Sequence, residues 1–211
     1  MIGTGDLQGY IYIGDWTDVP QGHEMKESEA AGQTIPDGDY RIYSGINQNF
    51  GLDFAGGVFD DGTYNIENGT NAQLWRWENE LGVPSECDTW TVSYNGNGFY
   101  RIKQKNTNYS LDVSGCSIEM GANVQAWKNS TKNAQQWSIK ATSHGYKLQA
   151  RCSAYCLDVA DGIAENSQNI RVWQENDSAA QSWCFIPAYP KQSVKNGLYR
   201  IRSAVNSKYY P

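Results

Sequence analysis

Few residues in this chain have the types and spacings that catalysis needs. The two histidines, His23 and His144, fit no metal-ligand spacing such as His-Glu-x-x-His. There is no Gly-x-Ser-x-Gly elbow, no phosphate loop and no dinucleotide fingerprint. Asp60 and Asp61 are a carboxylate pair, but neighbours in a Gly-rich loop read more simply as solvated charge. Acid/base work on a glycosidic bond needs two carboxylates converging across a cleft. The expectation is a chain with no catalytic residue, no metal and no cofactor. What recurs instead is a carboxylate and a tryptophan, three times in the same order.

Each recurrence has four parts. A short β-patterned stretch opens it: Tyr40-Arg41-Ile42, Tyr100-Arg101-Ile102 and Tyr146-Lys147-Leu148. A Leu-Asp pair follows with an apolar residue: Leu52-Asp53-Phe54, Leu111-Asp112-Val113 and Leu157-Asp158-Val159. Third comes a Trp after alternating side chains: Gln73-Leu74-Trp75, Gln125-Ala126-Trp127 and Arg171-Val172-Trp173. A closing Trp ends each unit, at Trp90, Trp137 and Trp183, with intervals of 47 and 46 residues. Such regularity fits four short strands per unit with turns between them. Turn formers such as Gly56-Gly57, Ser114-Gly115, Asn95-Gly96-Asn97-Gly98 and Asp161-Gly162 fall between the parts, and long helical periodicity is missing.

A unit of this size cannot bury its aromatic face alone, so three should pack about a common axis into a barrel with hairpins closing one end. A propeller blade has a similar period, but three blades are fewer than propellers use. The closing tryptophans are expected at the core corners. The fold class is therefore all-β, with three repeats of about 45–58 residues and little helix.

Composition narrows the partners. Of the 211 residues, 39% are hydrophobic and 13% aromatic, with eight Trp and fourteen Tyr, which suits a small aromatic-cornered core under a wet surface. A formal charge of -6 leaves no basic stripe for a phosphate backbone, so nucleic acid is not the expected partner and a neutral ligand fits better. No apolar run is long enough for a membrane helix, and Met1 to Asp6 have neither a cationic start nor an apolar stretch behind them. The five cysteines, Cys87, Cys116, Cys152, Cys156 and Cys184, are odd in number and lack CxxC spacing. At least one thiol stays unpaired, and a single disulfide between Cys152 and Cys184 is one candidate arrangement. Asn-x-Ser/Thr sequences at Asn68, Asn108, Asn129 and Asn176 would accept glycans only in a eukaryotic secretory pathway.

The order Tyr-x-Ile, Leu-Asp-Val, Gln-x-Trp, Gln-x-Trp resembles the ricin B-chain-type β-trefoil lectins and the related carbohydrate-binding modules of bacterial glycosidases. One Gln-x-Trp is weak evidence, but all parts in three correct successions are specific. The resemblance implies a β-trefoil and a shallow sugar pocket in each repeat. A carboxylate accepts hydrogen bonds from two neighbouring sugar hydroxyls, while an aromatic face covers the C–H face of the ring. Carried over by residue, the second repeat offers Asp112, Gln125 and Trp127, with Gln135 or Asn133 as the polar closer. The third offers Asp158, Trp173 and Gln181, with Arg171 where the pattern prefers Gln. The first offers Asp53, Gln73 and Trp75, but its Asp-to-Trp interval is 22 residues against 15 in the others, and Asp88 replaces the closing Gln. Insertions at about 57–67 and 81–86 are expected to reshape or cover this pocket.

The implied function is non-catalytic binding of galactoside- or xylan-type glycans, with a protein-interaction or inhibitor scaffold as the alternative. The family also implies a secreted or cell-surface setting and covalent linkage to other domains. Residues 1–37 lack the repeat phrase and read as a linker or the tail of a preceding domain, in which Tyr10-Ile11-Tyr12-Ile13 could add an edge strand. The trefoil is expected over 38–190, with repeats at about 38–95, 96–144 and 145–190. In 191–211, Gly197-Leu198-Tyr199-Arg200-Ile201 restates the opening phrase, as expected of a linker and a truncated further repeat.

Overall fold

The computed structural model describes residues 21–57, 63–77 and 89–188. The candidate edge strand at Tyr10–Ile13, the phrase at 197–201, Asp88 and the insertion at 81–86 lie outside the described residues. Each repeat folds into four strands. They are β1 (Gly38–Ser44), β2 (Phe50–Phe54), β3 (Ala72–Arg76) and β4 (Thr89–Tyr94); then β5 (Tyr100–Gln104), β6 (Tyr109–Val113), β7 (Val124–Lys128) and β8 (Trp137–Thr142); then β9 (Gly145–Ala150), β10 (Cys156–Val159), β11 (Gln168–Trp173) and β12 (Trp183–Pro187). Helix among the described residues is limited to single 3-10 turns.

The first and last strands of each repeat close a ring: β1 pairs with β4, β4 with β5, β5 with β8, β8 with β9, β9 with β12 and β12 with β1. Closure leaves this ring without an unpaired edge. The inner strands form three hairpins, β2–β3, β6–β7 and β10–β11. A six-stranded barrel carrying three hairpins is a β-trefoil.

Three-fold packing converges on the closing tryptophans. Trp90, Trp137 and Trp183 are fully buried, and each indole donates to the backbone carbonyl of the Leu in a Leu-Asp pair: Leu52 at 3.0 Å, Leu111 at 3.1 Å and Leu157 at 3.1 Å. The core thereby pins the backbone that carries Asp53, Asp112 and Asp158. The hairpins are also tied to one another. Asn123 donates to Asn71 at 2.8 Å and Asn71 to Asn169 at 2.9 Å, while backbone bridges join Asn71 to Gln125, Asn123 to Arg171 and Asn169 to Gln73. Each repeat therefore braces a strand of a neighbour's candidate pocket.

Residues 21–37 pack against the second and third repeats. Met25 and Ile35 are buried, the His23 and Met25 amides donate to Ser153 and Arg151 carbonyls, and the Tyr100 hydroxyl bridges the Ile35 amide and carbonyl. This segment lacks the repeat phrase because it covers the barrel instead of joining it. The candidate Cys152–Cys184 disulfide is absent: Cys116, Cys152, Cys156 and Cys184 are free. Cys152 is buried in the β9–β10 turn beside the Cys116 thiol, whereas Cys184 lies on β12 with Gln48 Nε2 at 3.7 Å.

Candidate functional site

In the second repeat, Asp112 on β6 stands opposite Gln125 on β7, and Ser110 opposite Trp127. Alternate residues of a strand share a face, so Asp112, Gln125 and Trp127 present to the same side of the hairpin. Gln125 Nε2 donates to one oxygen of Asp112 at 3.2 Å and Gln135 Nε2 to the other at 3.0 Å. Gln135 also donates to the Lys128 carbonyl at 3.0 Å and accepts from the Ser130 amide at 2.7 Å. It is fully buried, so it positions the carboxylate from beneath and does not face a ligand. Burial raises the Asp112 pKa, against the lowering effect of Gln125, Gln135 and Lys132. Trp127 is 42% exposed, much for so large an apolar ring.

Asn133, the other candidate closer, turns away from this carboxylate. Its amide donates to Glu24 Oε1 at 2.7 Å, within the segment that covers the barrel. The far side of the Trp127 strand is braced by the first repeat: the Lys128 amide donates to Asn68 Oδ1 at 2.8 Å and the Gly69 amide to the Ala126 carbonyl at 2.9 Å. The residues that follow the first-repeat insertion thus brace the strand that carries Trp127.

The third repeat keeps the frame and changes one partner. Asp158 on β10 faces Arg171 on β11, whose Nε donates to Oδ1 at 3.0 Å, while Gln181 Nε2 donates to Oδ2 at 3.1 Å. Like Gln135, Gln181 is fully buried, donating to a carbonyl (Gln174, 2.8 Å) and accepting an amide (Asn176, 2.8 Å). The Arg171 guanidinium carbon lies 4.1 Å from the centroid of the Trp173 ring. Burial raises the Asp158 pKa, opposed by Gln181 and Arg171. Beside this group opens a cavity of about 350 Å³ lined by Ile46, Asp161, Arg171, Trp173 and Asn176 among others. Ile46 comes from the β1–β2 turn of the first repeat, a contribution that no local motif signals.

In the first repeat Gln73 Nε2 donates to Asp53 Oδ2 at 3.0 Å, and the Phe54 amide also supports the carboxylate. Burial dominates there and pushes the Asp53 pKa up to about 6. Trp75 is 41% exposed, much like Trp127. All three carboxylates are therefore held by amide or guanidinium donors beside a tryptophan. Amides neither give nor take a proton at ordinary pH, so the arrangement is one for hydrogen bonding. Among the described residues no group of three or more His, Cys, Asp or Glu gathers in a metal-binding arrangement.

Residues 86–173 match the family model described as ricin-type beta-trefoil lectin domain-like. The fold is a β-trefoil, and this part of it is similar to the ricin-type lectin domains. A search of curated proteins finds no significant match. Among solved structures, this trefoil is similar to a designed 3-fold symmetric protein, ThreeFoil, at 24% identity and a TM-score of 0.62, over 71% of this chain and 99% of that one. It is similar to an exo-beta-1,3-galactanase from Clostridium thermocellum, at 22% identity and a TM-score of 0.59, over 74% of this chain but only 32% of the galactanase. A Macrolepiota procera ricin B-like lectin, solved in complex with lactose, aligns at 14% identity and a TM-score of 0.57, over 74% of this chain and 99% of the lectin.

Proposed function

We propose that this β-trefoil is a non-catalytic carbohydrate-binding module, with the second repeat as its principal pocket. The observation that carries the reading is Asp112, held at both oxygens by Gln125 and Gln135, on the same hairpin face as the exposed ring of Trp127. A polar acceptor fixed beside an apolar ring suits a neutral ligand with hydroxyls on its edge and C–H groups on its face. The glycan class is galactoside- or xylan-type. Support for galactosides comes from the fold, shared with a lectin solved with lactose and with a galactanase. The trefoil matches 32% of the galactanase chain, which favours a module that targets a larger secreted or surface protein.

One such pocket should be weak, with Kd on the order of 1 mM, or about 4 kcal/mol. Useful affinity then requires several pockets, or several modules, on one polysaccharide. The test is a glycan and polysaccharide array covering lactose, galactose-terminated glycans and xylo-oligosaccharides, with the intact chain beside Asp112→Ala. Binding that disappears in the folded variant supports the module and names its sugar class. Silence of the intact chain across the array, with capture of a protein ligand through its loops, would replace this reading by a trefoil interaction scaffold.

A further inference from the structure

The second and third pockets share a frame, yet a sugar would meet different surfaces in them. To bind as proposed for the second repeat, a ring must place hydroxyls on the carboxylate and its C–H face on the tryptophan. In the third repeat a cavity of about 350 Å³ opens beside Asp158 and Trp173, but one side chain, Arg171, engages both of these walls. Arg171 Nε donates to Asp158 at 3.0 Å, and the same guanidinium lies over Trp173 with Cζ at 4.1 Å from the ring centroid. A planar cation stacked on an aromatic face and hydrogen bonded to a carboxylate makes internally the two contacts that a sugar would make. The stack carries no loss of ligand freedom, and a neutral ring would have to displace it.

Three further observations fit. Trp173 is half-buried, whereas Trp127 is 42% exposed. The edge of Trp173 also meets the second repeat's loop, where a Cβ added to Gly121 would lie 3.3 Å from Cζ3, so the ring is confined on more than one side. Arg171 Nη1 is 3.8 Å from Asp161 Oδ1, which gives the guanidinium a second carboxylate to hold it in place. Two carboxylates about one guanidinium leave the local charge negative, so the cation is not an invitation to an acidic sugar.

We propose that Arg171 is the specificity-determining residue of the third repeat, taking up the Asp158 and Trp173 contacts that a neutral sugar would need so that the cavity beside them does not hold the ligand of the second. The proposal rests on the sugar reading of the second pocket. At the matching position Gln125 engages Asp112 by a single amide bond of 3.2 Å. Exchange of Arg171 for Gln should therefore open the third pocket, keeping a donor on Asp158 while removing the stack from Trp173.

The experiment is a lactose titration of the full chain labelled with 5-fluorotryptophan, with the fluorine resonances assigned by Trp→Phe variants so that each pocket reports separately. In the unsubstituted chain the Trp127 resonance should move and that of Trp173 should stay in place. In Arg171→Gln the Trp173 resonance should move as well, with a Kd within tenfold of that at Trp127. Equal responses of Trp127 and Trp173 in the unsubstituted chain would overturn the proposal, as would a silent Trp173 in folded Arg171→Gln while Trp127 still responds. If no resonance moves in either protein, the lactose reading of the second pocket fails. The H₂O-to-D₂O isotope shift at Trp173 then decides separately whether Arg171 covers the ring: it must rise in Arg171→Gln, and no change overturns the proposal. Arg171→Lys, which keeps the charge on Asp158 without a planar stack, should raise the same isotope shift and serves if the Gln variant folds poorly.

Discussion

The second and third pockets stand on hairpins with the same register, each with its Asp above a buried Gln and each backed by a closing Trp that donates to the preceding Leu carbonyl. The difference that bears on a ligand is Gln125 against Arg171, the side chain facing the carboxylate in each hairpin. The short amide of Gln125 stops at the carboxylate, while the longer guanidinium reaches both Asp158 and the Trp173 ring. A repeat architecture can thus conserve the support of a pocket and still change its contents with one side chain, because the support comes from buried partners that the substitution leaves in place.

The largest effects should separate the two carboxylates. Asp112→Ala should weaken lactose binding about 100-fold or more, since hydrogen bonds to a charged acceptor are worth about 1.5–3 kcal/mol each. Asp158→Ala should leave lactose binding nearly unchanged yet lower stability by about 2 kcal/mol, because it strands the Gln181 amide and the Arg171 guanidinium. Calorimetric titration and urea unfolding of both variants check the pair. An inverted pattern would break the comparison.

Next in size are the tryptophans. Trp127→Ala should reduce lactose affinity about tenfold while changing stability by less than about 0.5 kcal/mol, as an exposed ring gives up little on truncation. Trp173→Ala should lower stability by about 1–2 kcal/mol through loss of the Arg171 stack and partial burial, with little effect on lactose. The same titration and unfolding measurements read both.

Smaller effects follow from protonation. Asp53 has its pKa pushed up to about 6 by burial, so the folded chain holds this proton more tightly than the unfolded one. The proton's contribution to stability is full below the ordinary value of 3.8 and is lost as pH rises through about 6. Asp53→Asn should therefore flatten the pH dependence between those values and make the chain relatively more stable above pH 6, which urea midpoints across pH will show. The smallest expected change is at Asp158. Burial raises its pKa and Arg171 opposes that rise, so Arg171→Gln should move the carboxyl titration followed by NMR further upward.

The local sequence determined the architecture and the position of each carboxylate. Strand alternation, turn residues and the closing Trp are short-range signals, and three-fold recurrence at 47 and 46 residues turns them into a barrel with three caps. Leu-Asp and Gln-x-Trp also place Asp112 with Gln125 and Trp127, because strand register follows from alternation. Tertiary structure alone decided which side chains face outward. Gln135 and Gln181 look like ligand contacts in the motif but are sealed beneath their carboxylates, and Asn133 is drawn off by Glu24, 109 residues away. Residues 1–37 read as a linker or the tail of a preceding domain, yet the part from 21 onward docks through Met25 and Ile35 onto a surface assembled from two repeats. The sequence shows Arg171 to be out of pattern, but its stacking on Trp173 depends on side-chain reach and on Gly121 and Asp161 around it. Those neighbours come from different segments of chain, and only folding brings them together.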